Sequence, residues 1–311
     1  MPELPEVEAS RSVASRAMRG QKIQSAWAKP CKLFRAPKVP PKNGALITSP
    51  DALMTLLVGA EAARKDSSRH GKLMACHLIT ASIAPLTLFM RMGMTGKLCT
   101  HRRYEEAPAG AKLTLYFDGD EGLDALTLVN TRMFGSCWAV LGEPERDREA
   151  CEEQSRLHFE EAVKLAKMGP DALELARNPP AWISHLRGVS TRRPVKSILL
   201  DQEVVAGIGN IYAVEALFYA GVHPSAQLSN VSDDQLRALA NRVVSAMEWT
   251  LKRAEEEGRV VYGEGRGERS PFTVYGREGL PCTRCESTLM NLQLGGRQTV
   301  FCPSCQPSIN S

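Results

Sequence analysis

The chain has 311 residues, 43% of them hydrophobic, with 39 Lys and Arg against 35 Asp and Glu and a formal net charge of +4. That length supports two modest domains or one large one, with ample core. The mild basic excess permits nucleic-acid binding without arguing for it, and no apolar run approaches the roughly 20 residues that a membrane helix needs.

The chain opens Met1-Pro2-Glu3-Leu4-Pro5-Glu6-Val7-Glu8. This acidic, Pro-rich start reads as neither a signal nor a transit peptide, so an intracellular protein is expected. Pro at the second position normally allows removal of Met1, which leaves a secondary amine with Glu3 and Glu6 nearby. An α-amine titrates near pH 8, roughly two units below lysine, so a useful fraction is an unprotonated nucleophile at neutral pH. An amine that attacks a sugar carbon forms a Schiff base, the chemistry of a base-excising lyase.

From Glu6 to about Met18 the pattern reads as a helix with a weak apolar stripe of Ala9, Val13 and Ala14, ended by Gly20. From about Lys22 to Leu141 short alternating runs take over. Leu86, Leu88, Met90, Met92 and Met94 fall on every second residue, as do Leu113, Leu115 and Phe117. A turn at Asp118–Gly122 precedes a further run from Leu126. This predicts an antiparallel β-sandwich.

The stretch Glu143–Lys167 is rich in charge and poor in large apolar residues, so it reads as a surface helix or a loose linker. Val204–Ala213 places a glycine turn, Gly207-Ile208-Gly209, before a helix with Asn210 as N-cap and Gly221 as stop. Such a turn either exposes backbone N–H groups to an anion or is an ordinary packing unit between helices. The clearest helix starts at Ser232, where Ser232 and Gln235 form a capping box, and runs to Gly258. A Gly/Arg-rich linker, 258–270, then leads to Cys282-x-x-Cys285 and, sixteen residues on, Cys302-x-x-Cys305.

Two short thiolate pairs separated by the length of a hairpin fit one closed, tetrahedral and therefore structural zinc site. Two disulfides are the alternative, and an odd total of nine cysteines without a secretion signal argues against them. Arg297, beside Gly295 and Gly296 at the hairpin tip, is either solvated or in reach of a phosphate. The composition divides the chain into a β-domain over 1–142, a helical domain over 143–258, and the linker with its cysteine module over 259–311.

Three segments in this order resemble the formamidopyrimidine-DNA glycosylase / endonuclease VIII family. They are Pro2–Glu8, Asp201–Tyr212 and Val274–Gln306. Leu4 matches the formamidopyrimidine branch, because the endonuclease VIII branch usually has Gly there. The resemblance implies an α+β fold: an N-terminal antiparallel β-sandwich with a leading helix, then a helix–two-turn–helix domain with a zinc-finger β-hairpin. It implies Pro2 as nucleophile at C1′ of the damaged nucleotide, Glu3 as the acid that protonates the opening sugar, and Glu6 as a group that fixes the N-terminus or a water. Lys72 would hold a phosphate and assist elimination; alone it reads as a solvated strand lysine.

Met94, Arg132 and Phe134 would fill the void left by the flipped nucleotide, although Met94 and Phe134 alone read as sheet core. Lys196, Asn210 and Arg297 would bind phosphates, and Arg91 stands where the family often has a phosphate-contacting His. Double-stranded DNA with oxidised bases or abasic sites is the implied partner of a monomeric enzyme, with one structural Zn2+ at Cys282, Cys285, Cys302 and Cys305. The implied activity is excision of oxidised purines followed by β,δ-elimination, in the nucleoid or cytoplasm of a bacterium or the nucleus or an organelle of a eukaryote. The alternatives are an endonuclease VIII-like preference for oxidised pyrimidines or a scaffold that binds damaged DNA without chemistry. Retention of Pro2, Glu3, Glu6 and Lys72 argues against the latter. The family's usual Arg-Arg-Phe is Arg132-Met133-Phe134 here, and its frequent Asp-Pro is Asn130-Thr131. The segment 143–165 is longer than the family's and 258–274 shorter. These departures bear on substrate preference more than on the reaction.

Overall fold

Leu4–Met18 forms helix α1. Pro5 sits in its first turn, where the missing N–H has no intrahelical partner to lose, so the helix begins two residues ahead of the Glu6 start read from the apolar stripe. The computed structural model describes residues 2–103, 105–118, 124–190, 192–257 and 271–308. Met1, most of the Asp118–Gly122 turn, Gly258 and the 258–270 linker therefore lie outside the described residues. By its contacts the chain divides into two compact units, Met1–Lys167 with Ala254–Val260 and Met168–Arg253 with Val261–Ser311.

The first unit continues with β1 (Ile23–Ala28), β2 (Ala45–Ile47), helix α2 (Pro50–Leu57), β3 (Glu61–His70), β4 (Leu73–Ile79), β5 (Pro85–Arg91), β6 (Lys97–His101), β7 (Ala111–Phe117), β8 (Ala125–Val129), β9 (Ser136–Leu141) and helix α3 (Arg148–Leu165). The strands pair antiparallel in two sheets, ordered β1-β7-β8-β6 and β2-β9-β5-β4-β3. Leu86, Leu88 and Met90 of one sheet join Leu113, Leu115, Leu126 and Leu128 of the other in one buried cluster with Val7, Val13 and Met18 of α1. Each large apolar side chain so buried contributes about 1.5–3 kcal/mol.

The alternation read from the sequence is this inner face. The outer face of β5 is covered too, because α3 packs on β3, β4 and β5. Phe89 stacks on Trp138 at 5.2 Å and on Phe159 of α3 at 6.3 Å. The shift in composition at Glu143 thus marks a helix laid on the sheet, and by its contacts α3 belongs with the strands rather than at the start of the helical domain drawn over 143–258. Helix α2 was not expected among the strands. Ser49 accepts from Ala52 N–H as its cap, and Pro50 begins it.

The second unit holds α4 (Ala172–Ala176), α5 (Pro179–Arg187), α6 (Val195–Leu199), α7 (Asn210–Tyr219), α8 (Asp233–Glu256) up to Arg253, and the hairpin β10 (Met290–Leu294)–β11 (Arg297–Phe301). The expected capping box is present: Gln235 N–H donates to Ser232 Oγ at 3.2 Å and Ser232 N–H to Gln235 Oε1 at 3.0 Å. The hairpin module packs on α7 through Val214 and Phe218 against Val274, Leu289 and Val300.

Candidate functional site

At the start of α1, Pro2 is buried, Glu3 is 0% exposed and Glu6 3%. Glu6 Oε2 accepts from the backbone N–H of Glu3 at 2.8 Å, and the Glu3 side chain accepts in return from Glu6 N–H. This capping box satisfies two free helix donors and fixes the chain directly behind Pro2. Two residues on, Glu8 pairs with Arg11 at 2.6 Å and with Arg69 at 2.8 Å. Burial acts to raise the Glu8 pKa, but the hydrogen bonds and charges of Arg11 and Arg69 outweigh it and hold the carboxyl below its usual range. Arg69 also donates to Gly71 O at 3.2 Å. Gly71 and Lys72 form the turn between β3 and β4, so Lys72 is half-buried on a turn that Arg69 ties to α1, not on a strand.

Arg91, Met94, Arg132 and Phe134 are exposed at one end of the same unit. Met94 is 36% and Phe134 54% exposed, so neither is sheet core. The Arg132 guanidinium lies 5.1 Å from the centre of the Phe134 ring. Met94 sits on the loop from β5 to β6 and Arg132–Phe134 on the loop from β8 to β9, and the two loops interlock. Gly93 (φ +65°) and Gly135 stand back to back: a Cβ on Gly93 would come within 3.0 Å of the Gly135 backbone, and one on Gly135 within 3.0 Å of Arg91 O. Asn130, 0% exposed, joins the loops, donating through Nδ2 to Met92 O at 3.0 Å and accepting Met133 N–H at Oδ1 at 2.8 Å. Arg35 secures the far side by donating to Gly135 O at 2.8 Å.

In the second unit Gly209, not Asn210, is the N-cap of α7, and Asn210 is its first residue. Asn210 Nδ2 donates to Gln298 O on the hairpin at 3.0 Å, and its Oδ1 is buried with no hydrogen-bond partner among the described residues. The glycine turn is organised by Gln202, which donates to Leu200 O and Ile208 O at 3.0 Å and accepts Gly207 N–H at 2.9 Å. Lys196 is fully buried; its Nζ donates to Thr299 Oγ1 at 2.5 Å, and Thr299 Oγ1 donates to Arg297 O at 3.2 Å. Lys196 therefore supports the strand that presents Arg297. Arg297 is exposed beside the two-residue turn Gly295-Gly296, whose φ angles of 57° and 69° favour glycine.

The four expected thiols converge. The Sγ atoms of Cys282, Cys285, Cys302 and Cys305 all lie within 4.8 Å of one another. Sulfur separations are 3.9 Å for 282–305, 3.4 Å for 285–302 and 3.5 Å for 285–305. A tetrahedron of zinc–thiolate bonds of about 2.3 Å spaces sulfurs ~3.8 Å apart, whereas a disulfide needs about 2.05 Å. The donor set fits one closed zinc site. Arg284 N–H and Cys305 N–H each reach a ligand sulfur, of Cys282 and Cys302, at 3.4 Å, which stabilises thiolate charge.

Three positioning groups were not assigned a role from the sequence. Asn130 and Gln202 are common surface residue types, and only the fold buries the Asn130 amide and turns the half-buried Gln202 amide onto the backbone around it. Glu215 lies on the apolar helix α7, yet it accepts from Thr273, Val274 and Tyr275 N–H at 3.1, 2.8 and 2.9 Å and so anchors the entry to the finger.

Three family profiles match the chain: "Formamidopyrimidine-DNA glycosylase N-terminal domain" over residues 1–137, "Formamidopyrimidine-DNA glycosylase H2TH domain" over 168–260, and "Zinc finger found in FPG and IleRS" over 279–307. Among curated relatives, the formamidopyrimidine-DNA glycosylase of Geotalea daltonii is 32% identical over 98% of this chain and 100% of its own. That of Synechocystis sp. is 34% identical over 70% of each chain. Among solved structures, Lactococcus lactis Fpg (MutM) in complex with DNA containing N7-benzyl-Fapy-dG superposes with a TM-score of 0.73 at 24% identity, covering 99% of this chain and 100% of that one.

Proposed function

Because this chain belongs to the formamidopyrimidine-DNA glycosylase family, we propose that it is a bifunctional DNA glycosylase and AP lyase that excises oxidised purines, 8-oxoguanine and formamidopyrimidines, from double-stranded DNA. The observation that carries this reading is the capping box that fixes Pro2 and Glu3 at the start of a buried helix. A binding scaffold has no use for a stiffened N-terminal amine beside a buried carboxylate.

In this reading, once Met1 is removed, the unprotonated Pro2 nitrogen attacks C1′, the N-glycosidic bond breaks with its electron pair going to the base, and the base takes up the proton that the Pro2 nitrogen gives up. Glu3 supplies the proton that opens the sugar ring, which leaves an iminium between Pro2 and C1′. The iminium acidifies C2′–H, so the 3′-phosphate and then the 5′-phosphate are expelled by β- and δ-elimination, with Lys72 assisting. Glu6 is the positioning group for the Glu3 backbone. Met94, Arg132 and Phe134 occupy the gap left by the extruded nucleotide. Arg91, Asn210 and Arg297 face phosphates, with Lys196 bracing the hairpin beneath Arg297. Zinc, held by the four cysteines, supplies folding of the hairpin and no catalytic step. The enzyme acts as a monomer wherever the cell keeps its DNA.

Borohydride trapping tests this. A covalent adduct on a duplex with 8-oxoguanine opposite cytosine, lost in Pro2→Gly while damaged-duplex binding persists, is the expected result. An adduct on thymine glycol or abasic duplexes alone would move the enzyme to oxidised pyrimidines. Strand cutting undiminished in Pro2→Gly would remove Pro2 as nucleophile.

A further inference from the structure

We infer that Asn130 is a positioning residue for base extrusion, latching the Met94 loop to the Arg132–Phe134 loop so that the three side chains enter the duplex as one rigid wedge. The inference rests on the glycosylase reading above.

Three observations carry it. Asn130 is fully buried beneath exposed side chains, and its amide makes one bond to each loop: a donor to Met92 O and an acceptor from Met133 N–H. Only a group with both functions on one planar head makes that pair, and a carboxylate lacks the donor. Met133 has φ 53°, a conformation costly for a side-chain-bearing residue, and its N–H is the one that Asn130 holds. The backbone is therefore held in an unfavourable turn between Arg132 and Phe134, the two residues that must point outward together. Thr95 adds a second link at the surface, its Oγ1 accepting Arg132 N–H at 3.2 Å and the Thr131 hydroxyl at 3.1 Å.

A wedge works only if it does not yield while bases unstack. Loops that hinge independently lose extrusion force but leave Pro2 and Glu3 untouched, because among the described residues neither Asn130 nor Thr95 hydrogen-bonds to α1. The chemistry on a sugar that is already accessible is then spared.

The test compares single-turnover excision of 8-oxoguanine from duplex with cleavage of a preformed abasic site in single-stranded DNA, which needs no wedge. Asn130→Asp keeps shape and acceptor and removes the donor. Its ratio of duplex excision to single-stranded cleavage is expected to fall roughly tenfold. The rate of fluorescence rise from 2-aminopurine beside the lesion, which reports unstacking, should fall with it. Thr95→Val, a surface change that does not threaten folding, should lower the ratio in the same direction by about threefold. Parallel loss of both activities in Asn130→Asp, with Thr95→Val at the wild-type ratio, would reduce Asn130 to general stability and overturn the inference. So would an unchanged ratio in both variants. Phe134→Ala separates the two readings: if it lowers duplex excision while Asn130→Asp and Thr95→Val do not, the latch fails and the wedge stands. If Phe134→Ala also leaves duplex excision unchanged, the wedge reading itself fails and the latch with it.

Discussion

Glu6 Oε2 accepts the backbone N–H of Glu3, and that contact allows positioning to be tested apart from charge. Glu6→Ala removes the acceptor for Glu3 N–H and is expected to cost about 1 kcal/mol of stability, the usual range for a lost cap. It should also lower the yield of borohydride-trapped adduct, because the Pro2–Glu3 segment loses its restraint. Glu6→Gln keeps an oxygen at the same reach, so most of the stability and much of the adduct should return. Urea unfolding and trapping on one abasic duplex measure both quantities. Full adduct yield in the alanine variant would remove Glu6 from positioning altogether. The sequence placed Glu3 and Glu6 one turn apart and left open whether Glu6 held the N-terminus or a water; in the structure its Oε2 lies on the Glu3 N–H. Lys196 shows the opposite limit. The family resemblance implied a phosphate ligand, but burial is a property of the fold, and here its ammonium donates to Thr299 Oγ1.

The hairpin β10–β11 and its knuckles have a small apolar core, Val274, Leu289 and Val300 against two residues of α7. So little buried area does not hold an element of this kind without its metal, and zinc binding here is folding free energy. Cys302→Ser should lower zinc content well below one ion per chain and weaken damaged-duplex affinity by roughly tenfold or more, since Arg297 and the Asn210–Gln298 contact both ride on the hairpin. Metal analysis alongside equilibrium binding checks this, and full affinity in metal-free protein would show that the hairpin is not a grip. At this scale the sequence was most legible where spacing is itself the constraint. Two Cys-x-x-Cys pairs, the Ser232–Gln235 cap and the alternating strands each encode geometry within a few residues. Helix α3 was ambiguous because its buried face is made of Cys151, Ser155 and His158, small or polar residues that give no apolar stripe. The interlock of the two loops was illegible for a different reason: it joins residues about 40 positions apart through backbone groups that the sequence does not print.

Across the whole molecule, buried imidazoles set an acid limit. His77, between the sheet and α3, has its pKa lowered to about 4 by burial and then by the nearby His158. Its Nε2 meets Ser68 Oγ at 2.8 Å, and its Nδ1 has no hydrogen-bond partner among the described residues. Above pH 6.5 the ring is neutral in both folded and unfolded chains. Below 6.5 the unfolded chain takes up a proton that the folded chain refuses until about pH 4, so stability falls as pH drops through that window. The loss from this one group is roughly 3 kcal/mol by the end of the window. Thermal midpoints taken from about pH 7 to 4 should decline less steeply in His77→Gln than in the wild type, and identical slopes would assign the acid sensitivity elsewhere. The back-to-back pair Gly93 and Gly135 has a consequence for anyone reshaping this enzyme. A combinatorial library aimed at new lesions can diversify positions 94, 132 and 134, whose side chains stand in solvent, but every non-glycine codon at 93 or 135 drives a methyl group or larger into the facing backbone. Those two codons are best held fixed, and the useful variation lies entirely on the outer rim of a hub that admits no side chain.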